Sequence, residues 1–321
     1  MIRISCTEFN QLSYDLLAVI LVWIHPGEVI KLRRVCKRFQ ECINSQFFAV
    51  ANLSNFAPIK RCIYSHRPNE FDRFWFLWPK NFQCAYAKSL SYFIEIRWFY
   101  VFGKNLLEIP AAIGLFTNLK KLELGVGKIP INIQELVELE YLSLSVNELT
   151  GSIPKEIGKL EKLIEIDINM NKLSGSLPQE LANLNLISLD LRGNMISGGI
   201  PPELGTLRNA ETVFLQDNLL TGTIPPDLGN MESLRNLNVS RNKLSGEIPA
   251  ALCNAVNLRY LFLNNNELCG KVPVQFGMLH LWEMRISHNR LSGPIPKILR
   301  RVVKFSDRTL MGTKKIKVMK K

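Results

Sequence analysis

The chain of 321 residues is poor in the groups from which catalytic and metal centres are built. Its four histidines, His25, His66, His280 and His288, are scattered, and their ordinary reading is surface or turn histidine. No CxxC or HExxH spacing supplies metal ligands, no GxSxG presents a nucleophile, and no glycine-rich loop is set to cradle a phosphate. The expectation is therefore a non-enzyme that carries no cofactor and no metal. Cysteines are few and odd in number: Cys6, Cys36, Cys42, Cys62, Cys84, Cys253 and Cys269 form no paired motif, which argues against a disulfide framework and for a reducing compartment. Long apolar runs are also missing. The run from Leu16 to Ile24 is too short to cross a bilayer, and Asp15 and Glu8 before it spoil the basic flank of a signal peptide.

Acidic charge is scarce at both ends. Residues 1–105 carry 14 basic and 7 acidic groups, residues 106–296 carry 16 and 20, and residues 297–321 carry 10 and 1, for a net charge of +12. A nucleic-acid role needs a cationic face on the main domain, and the middle of this chain is slightly acidic, so no nucleic acid is expected as partner. The terminal KKIKVMKK reads as a solvated end after a short cap made by Ile298, Leu299, Val302, Val303 and Phe305. A nuclear-import or anionic-membrane signal is the other reading.

What the chain does have is a period. Asn147, Asn171, Asn194, Asn218, Asn242, Asn266 and Asn289 are separated by 24, 23, 24, 24, 24 and 23 residues. In one copy, Leu139, Leu142, Leu144 and Leu149 point inward while Tyr141, Ser143 and Ser145 alternate outward, the period of two that marks a strand. The asparagine falls where the chain turns and can pair backbone groups of adjacent turns. Gly151 permits close approach, Pro154 stops the strand, and Lys155 to Leu160 can return along the other side. LSGSLP, ISGGIP, LTGTIP, LSGEIP, LCGKVP and LSGPIP repeat the pattern L-[ST]-G-x-[ILV]-P, with cysteine once in the hydroxyl position. A fixed period of about 20 to 29 residues carrying LxxLxLxxNxL resembles the leucine-rich repeat, here of the plant type. The resemblance covers residues 93–296 in about nine turns, seven of them regular; those at Phe93, Ile96, Trp98 and at Leu119, Leu122, Leu124 are degenerate. Cys253 stands where the preceding turn has Gly229, and Cys269 where it has Ser245, so both read as packing substitutions.

Residues 12–43 form a second pattern. Ser13 is a candidate N-cap and Asp15 suits a first turn. Leu16, Leu17, Ile20, Leu21 and Ile24 make an apolar helical face before His25, Pro26 and Gly27 interrupt it. Val29, Leu32, Cys36, Phe39 and Ile43 then form a second stripe, with Val35 alongside and basic residues mostly off it. The string resembles an F-box through Leu12, Asp15, Leu16, Leu17, Ile20, Leu21, Ile24, Pro26, Leu32, Arg33, Val35, Cys36, Lys37, Arg38 and Ile43. Ser13 departs from the usual proline and Phe39 from the usual tryptophan. A hairpin that only caps the solenoid is the alternative.

The F-box resemblance implies docking on the Skp adaptor of a cullin ubiquitin ligase through Leu12, Leu16, Leu17, Ile20, Leu21, Pro26, Leu32, Val35, Cys36 and Phe39, with a second domain selecting an unknown protein substrate. The repeats suit that second role, and the fold class expected is α/β: a right-handed leucine-rich-repeat solenoid with a parallel β-sheet on its concave face, preceded by a small α-helical F-box. The domains run 1–45 (F-box), 46–92 (spacer and N-terminal cap), 93–296 (solenoid) and 297–321 (C-terminal cap and basic tail). Residues 44–105 hold 17 of the 29 aromatics, so this stretch is expected to pack over the first repeat; an aromatic ligand box is the other reading. Strand alternation puts Glu165, Asp167, Asp190 and Arg192, and then Phe214, Tyr260, Phe262 and Arg285, on the concave face as candidate substrate-binding residues. The localisation expected is cytoplasmic or nuclear. Secretion is the rival: Asn52 and Asn238 begin glycosylation sequons, with Ser240 expected at an exposed strand position. A scaffold or receptor-like module without ubiquitin function also stays open.

Overall fold

In the computed structural model the described residues are 18, 21–22, 24, 26–32, 37–56, 78–89, 95–98, 109–124 and 128–301. The chain divides into two compact units, Met1–Leu139 and Glu140–Lys321.

The first unit begins with helices α1 (Pro26–Leu32), α2 (Lys37–Ile43), α3 (Gln46–Phe56) and α4 (Lys80–Ser89). Pro26 stands at the first helical position, where its missing N–H costs nothing. Ser45 caps α3: its hydroxyl accepts the Phe48 N–H at 3.1 Å. Two asparagines tie the helices together. The Asn52 amide donates to the carbonyls of Val22 (2.9 Å) and Ile24 (2.8 Å), and that of Asn81 to the carbonyls of Ile43 and Ser45, both at 2.8 Å. Aromatic rings fill the space between α3 and α4. Phe82 meets Phe48 and Trp78 edge-on, each at 5.9 Å, and Trp78 meets Tyr86 at 5.5 Å. Helix α4 also packs on the 3-10 turn Ala111–Leu115. For the part described, this is the packing expected of the aromatic stretch. Strands β1 (Glu95–Trp98) and β2 (Lys121–Leu124) pair in parallel, and Leu119, Leu122 and Leu124 are buried as the degenerate repeat requires.

The second unit is a solenoid. Its inner strands β3 (Tyr141–Ser143), β4 (Glu165–Asp167), β5 (Ser188–Asp190), β7 (Thr212–Phe214), β9 (Asn236–Asn238), β11 (Tyr260–Phe262) and β13 (Glu283–Arg285) form one parallel array in that order. Shorter outer strands pair beside it, β6 (Ser197–Gly198) with β8 (Leu219–Leu220), and β10 (Ser245–Glu247) with β12 (Glu267–Cys269). The central residue of each inner strand is buried, as are the apolar residues three before it and two after it. A proline then opens a 3-10 turn, its carbonyl accepting from the residue three on, as Pro154 does from Ile157 at 3.1 Å. The hydroxyls of L-[ST]-G bridge successive turns, since Ser174, Ser197, Ser245 and Ser292 each donate to the glycine carbonyl of the turn before.

The asparagine ladder is as expected. The Asn218 oxygen accepts the Ile196 N–H at 3.0 Å, while its amide donates to Leu191 of the preceding turn at 3.0 Å and to Leu215 of its own at 3.2 Å. Asn171, Asn194, Asn242, Asn266 and Asn289 repeat this pattern. The residue before each ladder asparagine is left-handed, with φ of 56° at Val146 and 54° at Met170, although only Gly193 among the seven is glycine. Gly205 and Gly229 set the turn spacing, since a Cβ there would lie 2.2 Å from the Asp227 oxygen and 2.1 Å from the Ala251 oxygen.

Two expectations are corrected. Ser240 is buried, because its hydroxyl and its N–H both bond to the Asn238 side-chain oxygen, at 2.7 Å and 3.1 Å, and draw it under the turn. Cys269 is exposed and fills no packing gap, whereas Cys253 is partly covered. Asn52 is fully buried with its amide engaged, so the sequon there is closed to a glycan in this fold.

Candidate functional site

The expected adaptor-binding residues divide three ways. Leu12, Leu16, Leu17, Ile20, Val35 and Cys36 lie outside the described residues. Leu32 and Phe39 fall within α1 and α2. Leu21, 2% exposed, and Pro26 are buried, so they hold the helices together rather than offer surface. Cys42 is buried in the same helical unit, and burial pushes its thiol up to about 11, which keeps it neutral and unreactive.

The outward residues of the inner strands form a continuous face in the second unit. Parallel pairing sets Glu165 beside Ser188, Asp167 beside Asp190 and Asp190 beside Phe214. Glu165 is exposed and Asp167 half-buried, but Asp190 is only 8% exposed. Its oxygens take the Arg192 N–H at 3.2 Å and the Arg192 Nε at 3.2 Å. Burial pushes the Asp190 carboxyl up to about 6; the Arg192 N–H and charge oppose this, and Asp167 adds to it. The same local bond recurs at Asp167 and Asn238, whose side-chain oxygens accept the N–H two residues on. An Asx side chain at the strand's end thus closes the turn, which gives these residues a structural role before any ligand is considered.

The later rungs differ. Tyr260 and Phe262 have ring centroids 6.2 Å apart, and the exposed Trp282 stands edge-on to Tyr260 at 5.6 Å. The Arg285 guanidinium lies 4.9 Å from the Phe262 ring centroid, its Nε held by the buried Glu283 at 2.7 Å. Arg192 repeats this more loosely, 5.9 Å from the Phe214 ring. The structure therefore joins Tyr260, Phe262 and Arg285 in one cluster and Asp190, Arg192 and Phe214 in another, with Glu165 and Asp167 on the acidic side of the second. Trp282 was absent from the expected face; it precedes the alternating positions and could have been noticed as an aromatic one rung beyond Tyr260. Glu283 falls on the outward alternation but was not among the expected binding residues, and its pairing with Arg285 is what the sequence did not reveal. Among the described residues no helix is long and apolar enough to cross a membrane.

Residues 9–50 match the F-box domain, and residues 138–160, 162–184, 185–207, 209–231, 233–255 and 257–279 match the Leucine Rich Repeat. No match is found among the curated proteins. Similar solved structures include the plant peptide hormone receptor RGFR1 in complex with RGF2, at 36% identity and TM-score 0.59, covering 62% of this chain and 34% of the receptor chain. The ectodomain of the Arabidopsis thaliana membrane receptor kinase GASSHO1/SCHENGEN3, in complex with CASPARIAN STRIP INTEGRITY FACTOR 2, matches at 37% identity and TM-score 0.61, covering 65% and 26%. A TDR receptor matches at 32% identity and TM-score 0.56, covering 60% and 38%. The chain thus spans about a quarter to two fifths of these receptor chains. It carries an F-box domain followed by leucine-rich repeats, the layout of a substrate-recognition adaptor for a ubiquitin ligase.

Proposed function

We propose that the chain is the substrate-recognition subunit of a Skp, cullin and F-box ubiquitin ligase, in which the N-terminal helices dock the Skp adaptor and the repeats hold a target protein. The observation that carries this reading is the F-box match at residues 9–50 upstream of a repeat solenoid with an open sheet face. In such a complex the chain does no chemistry; the conjugating enzyme and RING subunit do. The division runs 1–45 for docking, 46–92 for spacer and cap, 93–296 for target binding and 297–321 for the closing cap and basic tail, in a cytoplasmic or nuclear protein. The L-[ST]-G-x-[ILV]-P core and the likeness to plant receptor ectodomains support reading the repeats as plant-type.

That same likeness favours a second reading, a scaffold or receptor-like binding module without ubiquitin function. One experiment separates the two. Affinity purification of the full chain from its native cell recovers Skp and cullin under the first reading and neither under the second. Removing a central aromatic anchor commonly costs about 2 kcal/mol, roughly 30-fold in affinity, so Phe39→Ala weakens adaptor capture severely. Phe262→Ala leaves adaptor capture intact and reduces target recruitment. Wild-type purifications that lack both Skp and cullin overturn the ligase reading.

A further inference from the structure

The two ends of the sheet face differ in charge. Its early rungs turn out Glu165, which is exposed, and Asp167, which is half-buried, while its last rung turns out Arg285 beside a single acid. That one acid, Glu283, is buried and committed to the Nε of Arg285. Arg285 thus lies over Phe262, fixed by one nitrogen, and its two terminal nitrogens have no protein partner among the described residues. A guanidinium held in this way presents a planar fork that matches a carboxylate or phosphate. Beside it, Tyr260 and the 66% exposed Trp282 offer apolar surface.

We infer that the sheet face takes an extended, charge-polarised segment of a partner protein. An anionic side chain beside an apolar one sits on Arg285, Tyr260 and Trp282, and a basic side chain at the other end lies over Glu165 and Asp167. This rests on the reading that the sheet face of the repeats binds the target. The acidic rungs are not a separate site. They repel the anionic end, and so fix which way the segment runs. Strands are about 4.8 Å apart, so the five steps from β4 to β13 span about 24 Å. An extended chain rises about 3.3 Å per residue, so the opposite charges fall about seven residues apart.

The test uses the purified full chain and four fluorescein-labelled synthetic peptides. The first has two glutamates and a phenylalanine at one end, a Gly-Ser spacer placing the charges seven residues apart, and two lysines at the other end. The second replaces the lysines by glutamates, the third shortens the spacer to two residues, and the fourth replaces the glutamates by phosphoserines. The first peptide is expected to bind at least tenfold more tightly than the second and third. The fourth shows whether carboxylate or phosphate is preferred: binding of either the first or the fourth at least tenfold above the second supports the inference, and failure of both overturns it. Arg285→Glu should weaken the first peptide at least tenfold and gain binding to a peptide with lysines at both ends. Trp282→Ala, a change at an exposed side chain that leaves the fold intact by circular dichroism, should weaken the first peptide about fivefold. A first and a fourth peptide that both bind no better than the second, or binding unaffected by both substitutions, overturns the inference. If no peptide binds while Phe262→Ala still reduces target recruitment, the polarity fails and the target-binding reading stands. If the first peptide binds and Phe262→Ala leaves target recruitment unchanged, it is the target-binding reading that fails.

Discussion

Both units use asparagines to satisfy backbone carbonyls, but they do so in opposite ways. In the helical unit Asn52 and Asn81 are single pieces, each closing one junction. In the solenoid one asparagine recurs at every turn with nearly the same bonds. A role that appears many times can be read from its copies, and damage to one copy leaves the others standing. A role that appears once is invisible in sequence, and its loss spreads through the unit.

The largest effects should separate the units. Phe82 fills the space between Phe48 and Trp78, and Phe82→Ala should cost about 3 to 5 kcal/mol. Leu237→Ala, in the centre of β9, should cost about 2 to 5 kcal/mol. Hydrogen exchange read by mass spectrometry should show the first change exposing amides of residues 40–56 and 78–89 while residues 210–265 stay protected, and the second the reverse. Simultaneous loss everywhere in either variant would dissolve the contrast.

Asn218→Ala sharpens it. The change leaves the Ile196 N–H without its partner, while the Leu191 carbonyl keeps the Asn194 amide, at a cost of about 2 kcal/mol, with faster exchange confined to the turns on either side. Exchange spreading through every turn would show a solenoid as brittle as the helical unit.

A smaller effect depends on pH. The Asp190 carboxyl is raised from 3.8 to about 6, so the folded state holds its proton more tightly than the unfolded chain does. Between those values the folded state binds more protons, so stability falls as pH rises from about 4 to about 6 and is flat above. Asp190→Asn removes that loss: it should match wild type near pH 4 and exceed it by about 2 kcal/mol near pH 7.5, a difference read from urea melts at both pH values. The smallest change concerns Val146, a β-branched residue at φ 56°. Val146→Asn should stabilise the solenoid by about 1 kcal/mol, seen as a raised melting temperature, because asparagine tolerates that conformation.

Periodicity made the solenoid legible: inward leucines, turn asparagines and opening prolines all stand where the repeat puts them. The helical domain was legible only as a string of residues with a family likeness. What escaped was set by contacts between non-repeating groups. Strict alternation puts Asp190, Ser240 and Glu283 outward, yet hydrogen bonds to Arg192, Asn238 and Arg285 draw them under cover. Asn52 reads in sequence as half of a sequon, and only the helix junction reveals it as a clamp. Left-handed φ at Met170 and Arg241 is likewise hidden, because neither residue type favours it.

The ladder has a direction. Asn266 accepts the N–H of Leu244, and Asn289 that of Leu268, so each turn is completed by the asparagine that follows it. During synthesis the turn that has just left the ribosome always has an N–H waiting for residues still in the tunnel. A chain halted after Asn265 would fold its earlier turns and leave the Leu244 N–H without its Asn266 acceptor, ready to pair with whatever polypeptide next offers one. The growing end, not the finished surface, is where a repeat protein of this kind is most open to mispairing with its neighbours.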